Sequence, residues 1–126
     1  MNFPTNLKYS KTHEWILFSD ASTAKIGLSE YAQDALGSVV FVNLPPEGQT
    51  IVVDESIGEV ESVKAVSDII SPLSGVVTAV NAELMDVPGK INEDAYGSWL
   101  VEISEINDQA ELLDAAEYEA FCRKED

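Results

Sequence analysis

The sequence predicts a mostly β domain made of two similar halves, with one short internal helix and a helical carboxyl terminus. Three observations carry this. Most of the chain runs in period-two apolar alternation, broken every few residues by Gly, Pro, Asn or Asp. One stretch, "SEYAQDALG" at 29–37, instead has apolar residues at helical spacing. And "GSVVFVN" (37–43) is echoed by "GVVTAVN" (75–81), which share Gly37/Gly75, Val39/Val77, Val42/Val80 and Asn43/Asn81.

In chain order, "HEWILFS" (13–19) and "TAKIGLS" (23–29) form a hairpin closed by the polar turn "DAS". Ser29 is the expected N-cap of the helix that follows. Glu30 suits the positive end of its dipole, Gly37 stops it, and Tyr31, Ala32, Ala35 and Leu36 share its apolar face. Strands are expected at 38–44, 50–53, 56–62 and 65–71, with "PPEGQT" turning between the first two. "PLSGVVTAVN" (72–81) is expected to turn at Ser74-Gly75 and enter another strand, and "GSWLVEIS" (97–104) is the last strong one. From Asn107 onward the composition is helical, with Leu112, Leu113, Ala116, Tyr118 and Phe121 as the packed contacts and "AAEYEAF" as a possible separate helix.

A chain of 126 residues fits one domain with a real core. Its longest apolar runs are far below the ~20 residues that cross a bilayer. The opening "MNFPTNLKYSKTHEW" lacks the character of a signal or transit peptide. The expectation is a soluble, cytoplasmic protein, or a mitochondrial-matrix one if a presequence has been removed. Seven Lys and Arg face 23 Asp and Glu, a net charge of −16. Such a surface repels phosphate backbones and anionic lipid, which argues against nucleic-acid and membrane binding and favours partners with basic patches. The one cysteine, Cys122, excludes an internal disulfide and reads as a packing residue. His13, the sole histidine, lacks the Cys and His partners a zinc site needs, so no metal is expected. Trp15 and Trp99 read as core, and no phosphate-loop spacing or Ser-His-Asp set occurs.

"GEVESVKAVSDIISP" (58–72) places Lys64 alone among Glu59, Glu61 and Asp68. A hairpin over about 57–71 puts Val63 and Lys64 in a two-residue turn, where small neighbours leave the amine open to a second enzyme. Nothing adjacent offers the burial or second cation that makes a lysine a base or Schiff-base nucleophile. Two readings stand at this point: a solvated turn lysine, or an attachment point.

Here the sequence resembles the H proteins of the glycine cleavage system along essentially its whole length. "KTHEW" (11–15), "IGLSEYAQDALGSVVFVNLP" (26–45), "GEVESVKAVSDIISPLSGVV" (58–77) and "AYGSWL" (95–100) match that family's segments in order, and "ESVKA" matches its lipoylation signature. The resemblance implies a single carrier domain over 1–126: a flattened β-barrel or sandwich of two similar half-sheets, the hybrid motif of lipoyl and biotinyl carriers. It implies covalent lipoate on Lys64, with Glu61, Ser62, Val63 and Ala65 forming the recognised surroundings. It implies a non-catalytic, monomeric shuttle for the aminomethyl group of glycine. The group passes from a pyridoxal-phosphate glycine decarboxylase (P protein) to a tetrahydrofolate-dependent aminomethyltransferase (T protein). Dihydrolipoyl dehydrogenase (L protein) then reoxidises the carrier. A lipoate ligase, or an octanoyltransferase with lipoyl synthase, would install the group. A cleft protecting the cargo is expected to use Glu14 and Thr12, with Asp68 as a further candidate.

The family's late Pro-Tyr-Gly-x-Gly-Trp pattern is here "AYGSW", lacking the proline and one residue, which bears on that turn and not on the lysine. Among rivals, lipoyl domains of 2-oxo-acid dehydrogenases lack the extra hairpin, helix and tail seen here. Biotinyl carriers place Met on both sides of the lysine, unlike Val63 and Ala65. An H-like paralogue relaying lipoyl or octanoyl groups to other proteins would share Lys64 and stands as the alternative.

Overall fold

In the computed structural model, which describes residues 1–125, ten strands form two sheets. Seven strands lie in the order β10-β1-β2-β3-β9-β8-β5: Leu112–Leu113, Lys8–Ser10, Glu14–Asp20, Thr23–Leu28, Trp99–Gln109, Leu73–Val80 and Thr50–Ile51. The other three are β4 (Val39–Asn43), β6 (Ser56–Ser62) and β7 (Val66–Ile70), in the order β4-β6-β7. The sheets face each other as an open sandwich rather than a closed barrel.

Alternation explains the packing. Along β4 and β6, Val39, Val42, Ile57 and Val60 point inward while Glu59 and Glu61 face solvent. The inward set meets Ile16, Ile26, Leu73, Val77, Leu100 and Ile103 from the larger sheet in one core. A second cluster lies under the carboxyl-terminal helix α4 (Ala115–Glu125), where Tyr9 and Tyr118 stack with ring centroids 4.5 Å apart. Helix α1 (Glu30–Leu36) bridges the two clusters, with Tyr31 on one and Ala32 and Leu36 on the other. Its cap is as expected: Ser29 accepts the Ala32 N–H through its side chain, and Gly37 ends it at φ 77°.

Several expectations need correction. Residues 107–109 continue β9, and Leu112–Leu113 form β10 against β1, so the helix begins only at Ala115. Its buried contacts are Ala115, Tyr118 and Cys122, while Ala116 is exposed. Ser74-Gly75 is not a turn. Strand β8 runs through it with a register shift against β9. The three-residue β1 is too short to show periodicity. Two helical turns, α2 (Glu83–Asp86) and α3 (Lys90–Glu93), fill the stretch before β9, each burying one residue, Leu84 and Ile91. None of the helices is long and apolar enough to cross a membrane among the described residues.

Candidate functional site

Strands β6 and β7 pair antiparallel through Glu61↔Val66, and the Ser62 N–H donates to the facing Ala65 carbonyl at 2.8 Å, leaving Val63 and Lys64 as the two-residue turn expected. Ser62, buried beneath the tip, pins it. Its Oγ accepts the N–H groups of Lys64 (3.2 Å) and Ala65 (3.1 Å) and donates to the Ala65 carbonyl (3.2 Å). The Val63 N–H donates to the Ser38 carbonyl at 3.0 Å, tying the tip to the start of β4. Serine suits the task because a short hydroxyl can bond locally to turn backbone. Lys64 itself is exposed, and among the described residues its ammonium has neither hydrogen bond nor ion pair.

Beside the tip lies a cleft of about 330 Å³ between β7, α1 and the start of β2. Its wall is largely apolar, from Leu28, Ala32, Leu36, Val60 and Ile69, and Ala65 of the tip lies on its rim. Thr12, Glu14 and Asp68 all line this one cleft, so the three residues singled out from sequence are brought together. Asp68 is exposed on the edge strand, as is Thr12 in the turn before β2.

Glu14 differs sharply from a solvated strand acid, with only 1% of its surface exposed. The Ser10 hydroxyl donates to its Oε1 at 2.7 Å, and the Thr12 hydroxyl donates to the same oxygen. The Ile70 backbone N–H on β7 also favours the charged form of the carboxyl, which thus sits where the two sheets meet. Burial pushes its pKa up to about 7, and the three donors pull against that shift by favouring the charged form. Ser10 was missed from the sequence. It reaches Glu14 only because the chain reverses over Lys11–His13, and that contact has no periodic signature.

His13 sits in that turn at φ 74°, not in the strand where its sequence placed it. Its Nδ1 meets the Tyr118 hydroxyl at 2.8 Å, and that hydroxyl lies 2.6 Å from Ser29 Oγ. Helix α4 is thereby locked to the α1 cap at the cleft's edge. Trp15 is buried and donates to the Ala95 carbonyl at 3.1 Å, so the shortened "AYGSW" turn anchors the core side of β2. Trp99 is half-buried under the Lys25 ammonium, 4.9 Å from its ring. A larger depression of about 500 Å³ is ringed by Glu30, Asp34, Glu93 and Asp94 and includes no hairpin residue. The smaller cleft is the better candidate because it joins the lysine tip to an apolar wall and one buried acid.

An unpaired amine on a pinned tip, next to a cleft able to shelter a small cationic group, has the build of a carrier protein. Comparison with known proteins agrees. The family model described as Glycine cleavage H-protein matches residues 7–125, and the chain belongs to that family. It is 52% identical over 120 residues to a glycine cleavage system H protein of Lachnoclostridium phytofermentans, covering 95% of this chain and 94% of that one. It is 49% identical over 130 residues to one of Koribacter versatilis, covering 99% and 98%. The crystal structure of a glycine cleavage system H protein from Mycobacterium marinum superposes with a TM-score of 0.87 at 41% identity, covering 93% of this chain and 96% of that one. Proteins of this family are lipoyl carriers and not catalysts.

Proposed function

We propose that Lys64 carries the lipoyl group and that the chain shuttles the aminomethyl group of glycine between the enzymes of glycine cleavage. The cargo passes from the glycine decarboxylase to the aminomethyltransferase, and dihydrolipoyl dehydrogenase restores the carrier. The observation that supports this most directly is the exposed, unpaired Lys64 amine at a tip held by Ser62 beside the Glu14 cleft. Bound there, lipoate supplies a disulfide that accepts two electrons and the cargo carbon.

The chain's own residues bind and shield. Leu28, Ala32, Leu36, Val60 and Ile69 exclude water from the cleft wall. Glu14 serves as counter-ion for a cargo ammonium. An incoming cation favours its ionised form, so the carboxyl gives up its proton and becomes the anion the cargo needs. Ser10, Thr12 and the Ile70 N–H hold that anion in place. Asp68 adds negative charge at the rim. Thr12, expected as a direct cargo contact, serves here as a donor that orients Glu14.

We further propose a monomer, modified in the cytoplasm by a lipoate ligase or by an octanoyltransferase with lipoyl synthase. The intact mass after incubation with lipoate, ATP and a ligase should rise by one lipoyl group, and Lys64→Ala should take none. Reconstitution with the three partner enzymes should then support glycine decarboxylation. Lipoylated protein that feeds its acyl group to other carriers but fails this reaction would establish the relay alternative instead.

A further inference from the structure

The three-stranded sheet that ends in Lys64 has one face in the core and the other open. Val42 and Val60 point into the core, so their neighbours point out. Register aligns Phe41, Glu61 and Val66 in one outward row and Asn43, Glu59 and Asp68 in the next. The register shift between Val39 and Phe41 leaves Val40 exposed as well. Four large apolar residues, Val40, Phe41, Val63 and Val66, therefore sit around the lysine end of this face with 49–71% of their surface exposed. Single exposed apolar residues need no explanation, whereas a group on one small sheet marks a docking surface. The charged residues interleaved with them, Glu59, Glu61 and Asp68, are acids, and Lys64 is the sheet's only cation.

We propose that this face, with Phe41 as its anchor, is where the enzyme that acylates Lys64 docks, through an apolar seat ringed by Lys or Arg. The inference rests on the lipoyl-carrier reading above and adds its docking site. An enzyme that acylates Nζ must close on the tip itself, and so on the residues within a side chain's length of it. Enzymes acting later need only the far end of the attached group. A basic rim complements Glu59, Glu61 and Asp68, and steers encounter with a chain of charge −16. A second copy of the chain is a poor occupant, because two such faces repel.

The test measures acylation of the unmodified protein by a lipoate ligase with lipoate and ATP, read as intact mass across carrier concentrations. Phe41→Ser should lower kcat/KM by about tenfold or more through KM, the size expected for an aromatic anchor. The double variant Val63→Ser/Val66→Ser should do likewise. Val52→Ser, equally exposed but outside this sheet, should match the wild type. Glu59→Lys should slow modification and flatten its salt dependence. Thermal melts matching the wild type would assign the losses to docking. Normal acylation of both apolar variants overturns the inference, whether or not they then fail in glycine decarboxylation. A concentration-dependent dimer abolished by Phe41→Ser also overturns it. Failure of the wild type to accept lipoate at all sinks the carrier reading itself.

Discussion

The side chain of Lys64 lies against Gly37, the residue that ends helix α1. A β-carbon added at Gly37 would stand 3.0 Å from Lys64 Cε and 3.7 Å from Nζ. Gly37 also adopts φ 77°, ψ −151°, a region essentially reserved for glycine. The last turn of α1 contains no basic residue of its own, so the lysine brings the cation that favours this helix end from another element.

Gly37→Ala is therefore expected to cost about 1–3 kcal/mol, from backbone strain and from the displaced lysine stem. Urea denaturation would measure it. Pairing the substitution with Lys64→Ala should recover only the steric part, since the strain at φ 77° remains.

Glu14 should make stability fall as pH rises. Its carboxyl has a pKa of 4.5 when unfolded and about 7 when folded, so the folded state holds the proton more tightly. The contribution is complete below the unfolded value and is lost as pH climbs through the folded one. Between pH 5 and 8 the wild type should lose about 2 kcal/mol that Glu14→Gln does not. Denaturation midpoints for both proteins across that range test this. Parallel curves would mean that the carboxyl is not held protonated by burial.

Ser62→Ala removes three contacts from the tip at once. A loss of about 1–2 kcal/mol is expected, because the Lys64 and Ala65 amides lose their acceptor. Amide hydrogen exchange at those two residues should accelerate much more than at Val60, which lies within the sheet. Equal acceleration everywhere would point to global destabilisation instead.

Tyr118→Phe should cost a similar ~1–2 kcal/mol by taking away the hydroxyl shared by Ser29 and His13. Burial already pushes that phenol far above its ordinary pKa, so the loss should not vary with pH through Tyr118 itself. Thermal melts at several pH values check both points.

The elements that proved legible in the sequence are those whose signals are local. Ser29 and Gly37 bracket α1 because capping is decided within a few residues, and the β2–β3 hairpin follows from its alternation. The carboxyl-terminal stretch misled for the opposite reason. Gln109, Ala110 and Glu111 favour helix, yet Leu73↔Gln109 and Tyr9↔Leu113 pairing holds the stretch extended, a tertiary contact that overrides propensity. In the candidate site, the exposed turn position of Lys64 was readable from the hairpin pattern, whereas its role and those of Thr12, Glu14 and Asp68 came from the resemblance, and the fold gathers the last three in one cleft. The protonation of Glu14 was not readable, because it follows from burial between two sheets distant in sequence. Ser10 and Phe41 escaped likewise, being significant only once their neighbours are in place.

The lone cation on the β4-β6-β7 sheet has one more consequence. On the proposed carrier reading, acylation would turn the Lys64 ammonium into a neutral amide and leave that face with a single sign of charge. It would also withdraw the cation resting at the end of α1. Unfinished and finished carriers would then differ in local surface potential around the tip, within about a Debye length (~8 Å at physiological salt), before any partner touches the attached group.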